Sequence, residues 1–270
     1  MSPGVVHVLR ERYGLDKPFL TQYVLWLENF VMGHFGHSII NQQDIGQALA
    51  ERIPNTVILV LPAYATSVVI ATVLGLIGGR APQSWAGRVI DTVTAVGLAT
   101  PSFWIALLLI YFLGYAANLF PLFGMGSAHQ PLDVVWHMVL PYITLVVAYF
   151  PELARYVQSK TIGEYQQDYV MVQRAFGATE RQILFHHVLP NVLLPIVTQI
   201  GQSLPLLVTG AMITETVFSW PGVGTYMMDA SVKLDYPVIL AVMLLSATLV
   251  VIGNLLADVL YTVVDPRVRR

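Results

Sequence analysis

The chain has 270 residues, 56% of them hydrophobic and 11% charged, with a mean hydropathy of +0.65. Soluble domains carry about 25% charged residues, so the composition implies an all-α polytopic membrane protein. A net charge of -2 and the absence of cysteine exclude a strongly basic nucleic-acid binder, a disulfide framework, an iron–sulfur cluster and a thiol nucleophile.

The first 54 residues contain no stretch long enough to cross a bilayer. The best candidate, Gln22 to Met32, contains Glu28 and Asn29, which predicts an amphipathic helix lying on the surface. Charge-free runs then mark the spans, because ~20 apolar residues cross the hydrocarbon and a central Asp, Lys or Arg costs about 2.5–3.5 kcal/mol. Five are visible, near 55 to 78, 93 to 116, 135 to 156, 193 to 214 and 238 to 262. Pro62 should kink the first, and Gly75, Gly78 and Gly79 allow close helix contact or a helix end. The basic turn from Arg80 to Asp91 reads as an orientation signal.

Pro101 sits early in the second span, where freed backbone carbonyls suit a lining helix or a packing kink equally. Beyond it, Asn118, Pro121, Gly124, Gly126 and Pro131 turn the apolar run into a loop. Glu152 and Arg155, three residues apart at the end of the third span, can pair on one helix face. The fourth span holds Pro195, Gln199, Gln202, Ser203, Pro205 and Thr209. Gln199, Gln202 and Ser203 share a face, and with Glu215 at the span's end they are candidate pathway residues. Interhelical hydrogen bonding is the alternative for each. Trp220-Pro221-Gly222-Val223-Gly224 is turn chemistry with an aromatic that suits a membrane interface. In the last span Asp258, four residues after Asn254, can bond inward, and Tyr261 and Asp265-Pro266-Arg267 follow.

Between the third and fourth spans, Glu164 to Thr198 is a polar island that reads as helix, glycine break, helix, proline. Tyr169, Val172 and Phe176 recur at helical spacing with Asp168 and Arg174 off that stripe, predicting an amphipathic surface helix. Gly177 suits the left-handed residue that ends it, Thr179 or its neighbour suits the next N-cap, and Pro190 marks entry into an apolar run. The expected product is a bent two-helix knob held at the membrane face.

The strings Asp168-Tyr169-Val170, Arg174-Ala175-Phe176-Gly177 and His187-Val188-Leu189-Pro190-Asn191 resemble the cytoplasmic EAA loop of permease subunits of bacterial ABC importers, in the dipeptide, oligopeptide and nickel branch. Tyr13-Gly14-Leu15-Asp16-Lys17-Pro18, Phe35-Gly36-His37-Ser38, Pro101-Ser102-Phe103-Trp104, the run from Glu215 to Gly224, and Asp235-Tyr236-Pro237 resemble the same branch. The loop's Glu-Ala-Ala falls on Met171, Val172 and Gln173, and His187 takes the usual isoleucine place, so those positions depart.

The resemblance implies a type I importer permease fold in the bacterial plasma membrane. Residues 1–54 would form an extracytoplasmic cap and 55–270 the transmembrane domain, with a cytoplasmic coupling loop over 158–192. It further implies docking of two ATPase subunits on Asp168, Tyr169, Arg174, Ala175, Gly177, His187, Leu189, Pro190 and Asn191. ATP and Mg would be bound by those subunits, none by this chain. A second homologous permease and an extracytoplasmic solute-binding protein complete the expected partners, with peptides or nickel and metal chelates as cargo. The family normally starts with a further N-terminal transmembrane helix, and its absence here is expected to reflect a late start site or a trimmed chain.

With that loop inside, Arg80, Arg88, Arg155, Lys160, Arg174, Arg181, Arg267, Arg269 and Arg270 are inside, leaving Arg10, Arg12, Lys17, Arg52 and Lys233 outside. The positive-inside rule is satisfied, and the C-terminus is expected to be cytoplasmic. No phosphate loop is present, since none of Lys17, Lys160 and Lys233 follows a glycine, so this chain is not the ATPase. Neither a zinc-protease H-E-x-x-H nor a serine elbow occurs, and adjacent His186 and His187 have poor metal spacing. The rival readings are an ion-coupled secondary transporter or channel acting without an ATPase, and a membrane scaffold. The first should show paired mid-membrane charges, and the second needs no polar face like that of Gln199 and Gln202.

Overall fold

A computed structural model of the chain describes residues 17–127, 129–203 and 212–264. Apart from an isolated bridge between His37 and Asp44, the regular structure among them is helical. The surface helix read at Gln22 to Met32 is α1 (Phe19–Val31), which has no buried side chain. Tyr23, Trp26 and Phe30 stack along it, and Phe30 meets Phe35 edge-on at 5.3 Å.

Helix α2 (Ile45–Arg80) starts where the Asp44 carboxylate accepts the Gln47 N–H at 2.8 Å, not near 55. Glu51 and Arg52 end the apolar run without ending the helix. At about 1.5 Å per residue α2 is far longer than the ~30 Å hydrocarbon, so its charged turn can lie outside the bilayer. Ile45, Ala48 and Leu49 in that overhang are buried against Val223, Tyr226 and Val238. The boundary drawn at 54 therefore falls inside a helix. The preceding segment is also tied down, because Ser38 Oγ and the Ile39 N–H both donate to the Asp235 carboxylate.

The second expected span is two helices, α3 (Trp85–Ala99) and α4 (Ser102–Leu109, continuing as a π-helix through Ala116), which meet at 96°. Pro101 has no N–H to continue the ladder and holds Thr100 extended at φ -96, ψ 119, so the chain breaks where a kink was one of the two readings.

Helix α5 (Pro131–Tyr165) runs parallel to α2, the partners rising together along both. Tyr142 bonds Thr66, Val146 lies against Ser67, Val157 against Gly75 and Thr161 against Gly79. A Cβ on Gly75 or Gly79 would stand 2.5 Å from Val157 Cβ or Thr161 Cβ, so two small residues four apart let the backbones close. Glu152 and Arg155 do not pair. Both are exposed, where solvation offsets most of an ion pair's gain, and the ion pairs among the described residues are Asp133–His137 and Arg174–Glu180.

The remaining helices are α6 (Asp168–Ala175), α7 (Glu180–Ile183, continuing as a π-turn Leu184–Val188), α8 (Leu189–Gln202), α9 (Met212–Val217), α10 (Val223–Lys233) and α11 (Tyr236–Val264). Helices α2, α5 and α11 are long and apolar enough to cross a membrane, and the α3–α4 pair is a fourth if counted as one broken span. The expected span from 193 to 214 covers α8 and α9. Its middle, with Pro205 and Thr209, lies outside the described residues, as do Arg10, Arg12, Tyr13 to Asp16, Asp265, Arg267, Arg269 and Arg270 and the side chains of Pro195, Gln202, Asp258 and Tyr261. Asn254 is exposed.

Trp220 is not an interfacial anchor. Its side chain has no exposed surface and sits among Leu59, Val60, Ala63 and Leu145, with Nε1 donating to the Asn55 carbonyl at 2.8 Å. Asn55 Nδ2 donates back to the Pro221 carbonyl at 2.9 Å. The turn after α9 is thereby plugged into the α2–α5 seam.

Candidate functional site

The segment between α5 and α8 folds into the two-helix knob that its punctuation predicts. Asp168 stands in the first turn of α6, where a carboxylate favours the positive end of the helix dipole. Gly177 ends the helix at φ +84, in the left-handed region. Its N–H donates to the Arg174 carbonyl and the next N–H, of Ala178, donates to the Gln173 carbonyl, both at 3.0 Å. This pair of bonds closes a Schellman motif. Two residues on, Thr179 and Gln182 form a reciprocal capping box that starts α7. Arg174 Nε donates to Glu180 Oε1 at 2.7 Å across the bend, and this bond holds the Glu180 carboxyl below its usual range.

Inside the knob the buried residues are Val170, Ile183 and Val188, which join Leu76, Val157, Val192 and Ile196. The stripe of Tyr169, Val172 and Phe176 does not face inward as a unit. Val172 is half-exposed and Phe176 is 85% exposed, while Met171 is also open to solvent. Helix α6 has only two turns, and a single buried residue, Val170 in the first, anchors it. The result is an unpartnered apolar tip of Met171, Val172 and Phe176 beside Arg174, Ala175 and Gly177, all of them exposed.

Tyr169, His187 and Asn191 meet instead at the base of the knob. The Tyr169 hydroxyl donates to Glu164 Oε2 at 2.7 Å, and Asn191 Nδ2 donates to the same oxygen at 2.9 Å. The His187 ring lies 6.2 Å from that of Tyr169. Burial, and then the bond to Glu164, pushes the Tyr169 hydroxyl up to about 12, so it remains a donor near neutral pH. Leu189 packs against the inner cluster, and Pro190 is exposed at the first turn of α8, where its missing N–H costs little. Glu164 and Glu180 were not singled out from the sequence. Each is an acceptor whose partner lies 5 to 27 residues away, so only the fold reveals the pair.

The pathway candidates separate. Gln199 and Ser203 are half-buried near Tyr64, whose hydroxyl donates to the Gln199 carbonyl at 3.5 Å and whose ring meets Tyr149 edge-on at 5.9 Å. Ser203 Oγ donates to its own helix at the Ile200 carbonyl. Tyr64 and Tyr149, from α2 and α5, carry no signal in sequence that separates them from other aromatics in a span. Glu215 is elsewhere and has no exposed surface. It accepts from Thr56 Oγ1 at 2.8 Å and from the Thr225 N–H at 3.2 Å, while Thr56 Oγ1 accepts the Val223 N–H at 2.9 Å. It thereby ties α9, α10 and α2 together, as the interhelical-bonding alternative expects. Among the described residues no cluster of His, Asp or Glu could hold a metal ion.

Residues 68–270 match the family model described as the binding-protein-dependent transport system inner membrane component. The oligopeptide transport system permease protein AppB of Bacillus subtilis (strain 168) is 37% identical over 96% of this chain and 83% of its own length. The dipeptide transport system permease protein DppB of Lactococcus lactis subsp. cremoris is 32% identical over 100% and 87%. In three dimensions the chain is similar to the MetNI methionine ABC transporter in its inward-facing conformations, with a TM-score of 0.63 at 19% identity over 81% of this chain and 97% of that one. This likeness extends the match from sequence to a type I importer permease fold. With a family match over most of its length and relatives above 30% identity along nearly all of it, the chain belongs to the inner membrane components of binding-protein-dependent transport systems.

Proposed function

We propose that this chain is a permease subunit of an ATP-driven peptide importer in the bacterial plasma membrane, and that the knob from Asp168 to Asn191 is where its ATPase partners dock. A second permease would complete the pathway and an extracytoplasmic solute-binding protein would deliver the peptide. ATP and Mg would be bound by the ATPase subunits. Peptide cargo is supported by the relatives named for oligopeptide and dipeptide transport.

The observation that carries the docking reading is the apolar tip. Phe176, Met171 and Val172 are exposed on a rigid bend braced by the Schellman motif, the capping box and the Arg174–Glu180 pair. Exposed apolar side chains on a preorganised polar rim are what a groove in a soluble partner can bury. The base is equally braced, through Glu164, so a push on the tip is transmitted to the ends of α5 and α8 rather than absorbed by the loop.

Gly177→Arg is the test. A side chain in the left-handed region costs about 1–2 kcal/mol, and the arginine would also project from the tip. In membranes containing the assembled importer, uptake of a labelled dipeptide should fall by about tenfold or more, a barrier change of ~1.4 kcal/mol or above. ATP hydrolysis by the partner subunits should persist, and the amount of inserted chain should be unchanged. Uptake at the wild-type rate with normal insertion would remove the coupling role from this bend.

A further inference from the structure

A shallow trough runs along the exposed face of α3 into the break between α3 and α4. One part, of about 410 Å³, lies along Trp85, Arg88 and Val89. The other, of about 450 Å³, lies along Val96, Ile105, Val147 and Phe150. Thr92 and Val93 line both, so the trough is continuous from a cationic, aromatic end to a hydrocarbon end.

Its direction follows from the packing of α3 on α5. Asp91 accepts from Gln158 Nε2 at 2.8 Å, and Gly97 lies against Pro151. The two helices are therefore antiparallel, and the Arg88 end points toward the end of the bundle that carries the 166–191 knob. From Arg88 to Val96 the helix rises by about 12 Å, and half of the hydrocarbon thickness is ~15 Å. The gradient from cation to hydrocarbon thus fits within one leaflet. Arg88 is exposed and forms none of the ion pairs among the described residues, and Asp91, the acid on the same helix, is turned to Gln158. Trp85 is 76% exposed at the same level, where an amphipathic indole suits the headgroup region.

We propose that this trough binds one anionic phospholipid of the bilayer, with its phosphate at Arg88 and an acyl chain along Val93, Val96 and Phe150. An unpaired guanidinium matches a phosphate in charge and geometry, and the hydrocarbon end matches a fatty chain, its two lining hydroxyls, of Thr92 and Thr100, donating to carbonyls of their own helix. The elbow set by Pro101 gives the site its concave wall, so the lipid would brace the bend between α3 and α4.

The assembled importer, purified in mild detergent and stripped of lipid by detergent exchange, is titrated with phosphatidylglycerol or phosphatidylcholine. Lipid retained on this chain is read by native mass spectrometry. One phosphatidylglycerol should be retained in preference to phosphatidylcholine. Arg88→Gln should weaken phosphatidylglycerol roughly fivefold and leave phosphatidylcholine unchanged, while Arg88→Lys keeps the preference. Val96→Trp, which fills the hydrocarbon end, should weaken both. Equal retention of phosphatidylglycerol by the wild type and Arg88→Gln overturns the proposal. The 270 residues contain no cysteine, so Val93→Cys supplies a single thiol for the protein alternative. A short cross-linker from that thiol to a second polypeptide in native membranes would make the trough a subunit interface and overturn the lipid assignment as well.

Discussion

Glu215 is a carboxylate with no exposed surface whose two acceptor bonds and one shared hydroxyl join three helices. Removing it would leave the Thr56 hydroxyl and the Thr225 N–H without an acceptor. Each buried unsatisfied group costs about 1–3 kcal/mol. Glu215→Ala should therefore lower the unfolding temperature of the detergent-solubilised chain, and Glu215→Gln, which keeps an acceptor oxygen, should lower it less. A residue that met the cargo would behave differently, with the KM for peptide uptake changing while the unfolding temperature stayed put. Trp220 is a related case. An indole next to Pro-Gly reads in sequence as an interface anchor, and its full burial with a bond to the Asn55 carbonyl makes it a plug instead.

At the scale of elements, the α2–α5 seam is the axis on which the other helices are assembled. It is parallel because the intervening α3–α4 pair returns the chain to its starting side, and it is close because Gly75 and Gly79 face Val157 and Thr161. Gly75→Val should force the helices apart at an overpacking cost of about 1–3 kcal/mol. Thermal unfolding in detergent would measure the loss, and Val157→Ala in the same chain should restore part of it, since the two sites share one contact. Recovery limited to the sum of independent effects would show that the glycines serve helix geometry alone.

For the whole molecule, orientation decides which surface meets which partner. The expected topology puts nine of the fourteen basic residues inside, and on that expectation the knob and the C-terminus are cytoplasmic. A green fluorescent protein fused after Arg270 should then fluoresce, and alkaline phosphatase at the same position should be inactive. Phosphatase inserted at Gly126, in the loop before α5, should be active. The reverse pattern would put the exposed Phe176 tip outside, away from any cytoplasmic ATPase.

What the amino-acid order determined alone was local and compositional. Charge-free runs located the apolar helices, Gly177 and Thr179 placed the bend and the next cap, and Glu28 with Asn29 kept α1 off the list of spans. These features depend on residues within a few positions of one another, so periodicity and turn chemistry reveal them. The helix ends were less legible, because α2 begins where Asp44 caps it, ten residues before its apolar run, and charge does not stop a helix outside the hydrocarbon. Tertiary structure alone decided which polar groups are satisfied and by whom. Glu164 with Tyr169 and Asn191, Glu215 with Thr56, and Asp235 with Ser38 are partners up to 197 residues apart. Their hydrogen bonds exist only once the helices have packed, since neither periodicity nor spacing records which distant acceptor a buried donor will face.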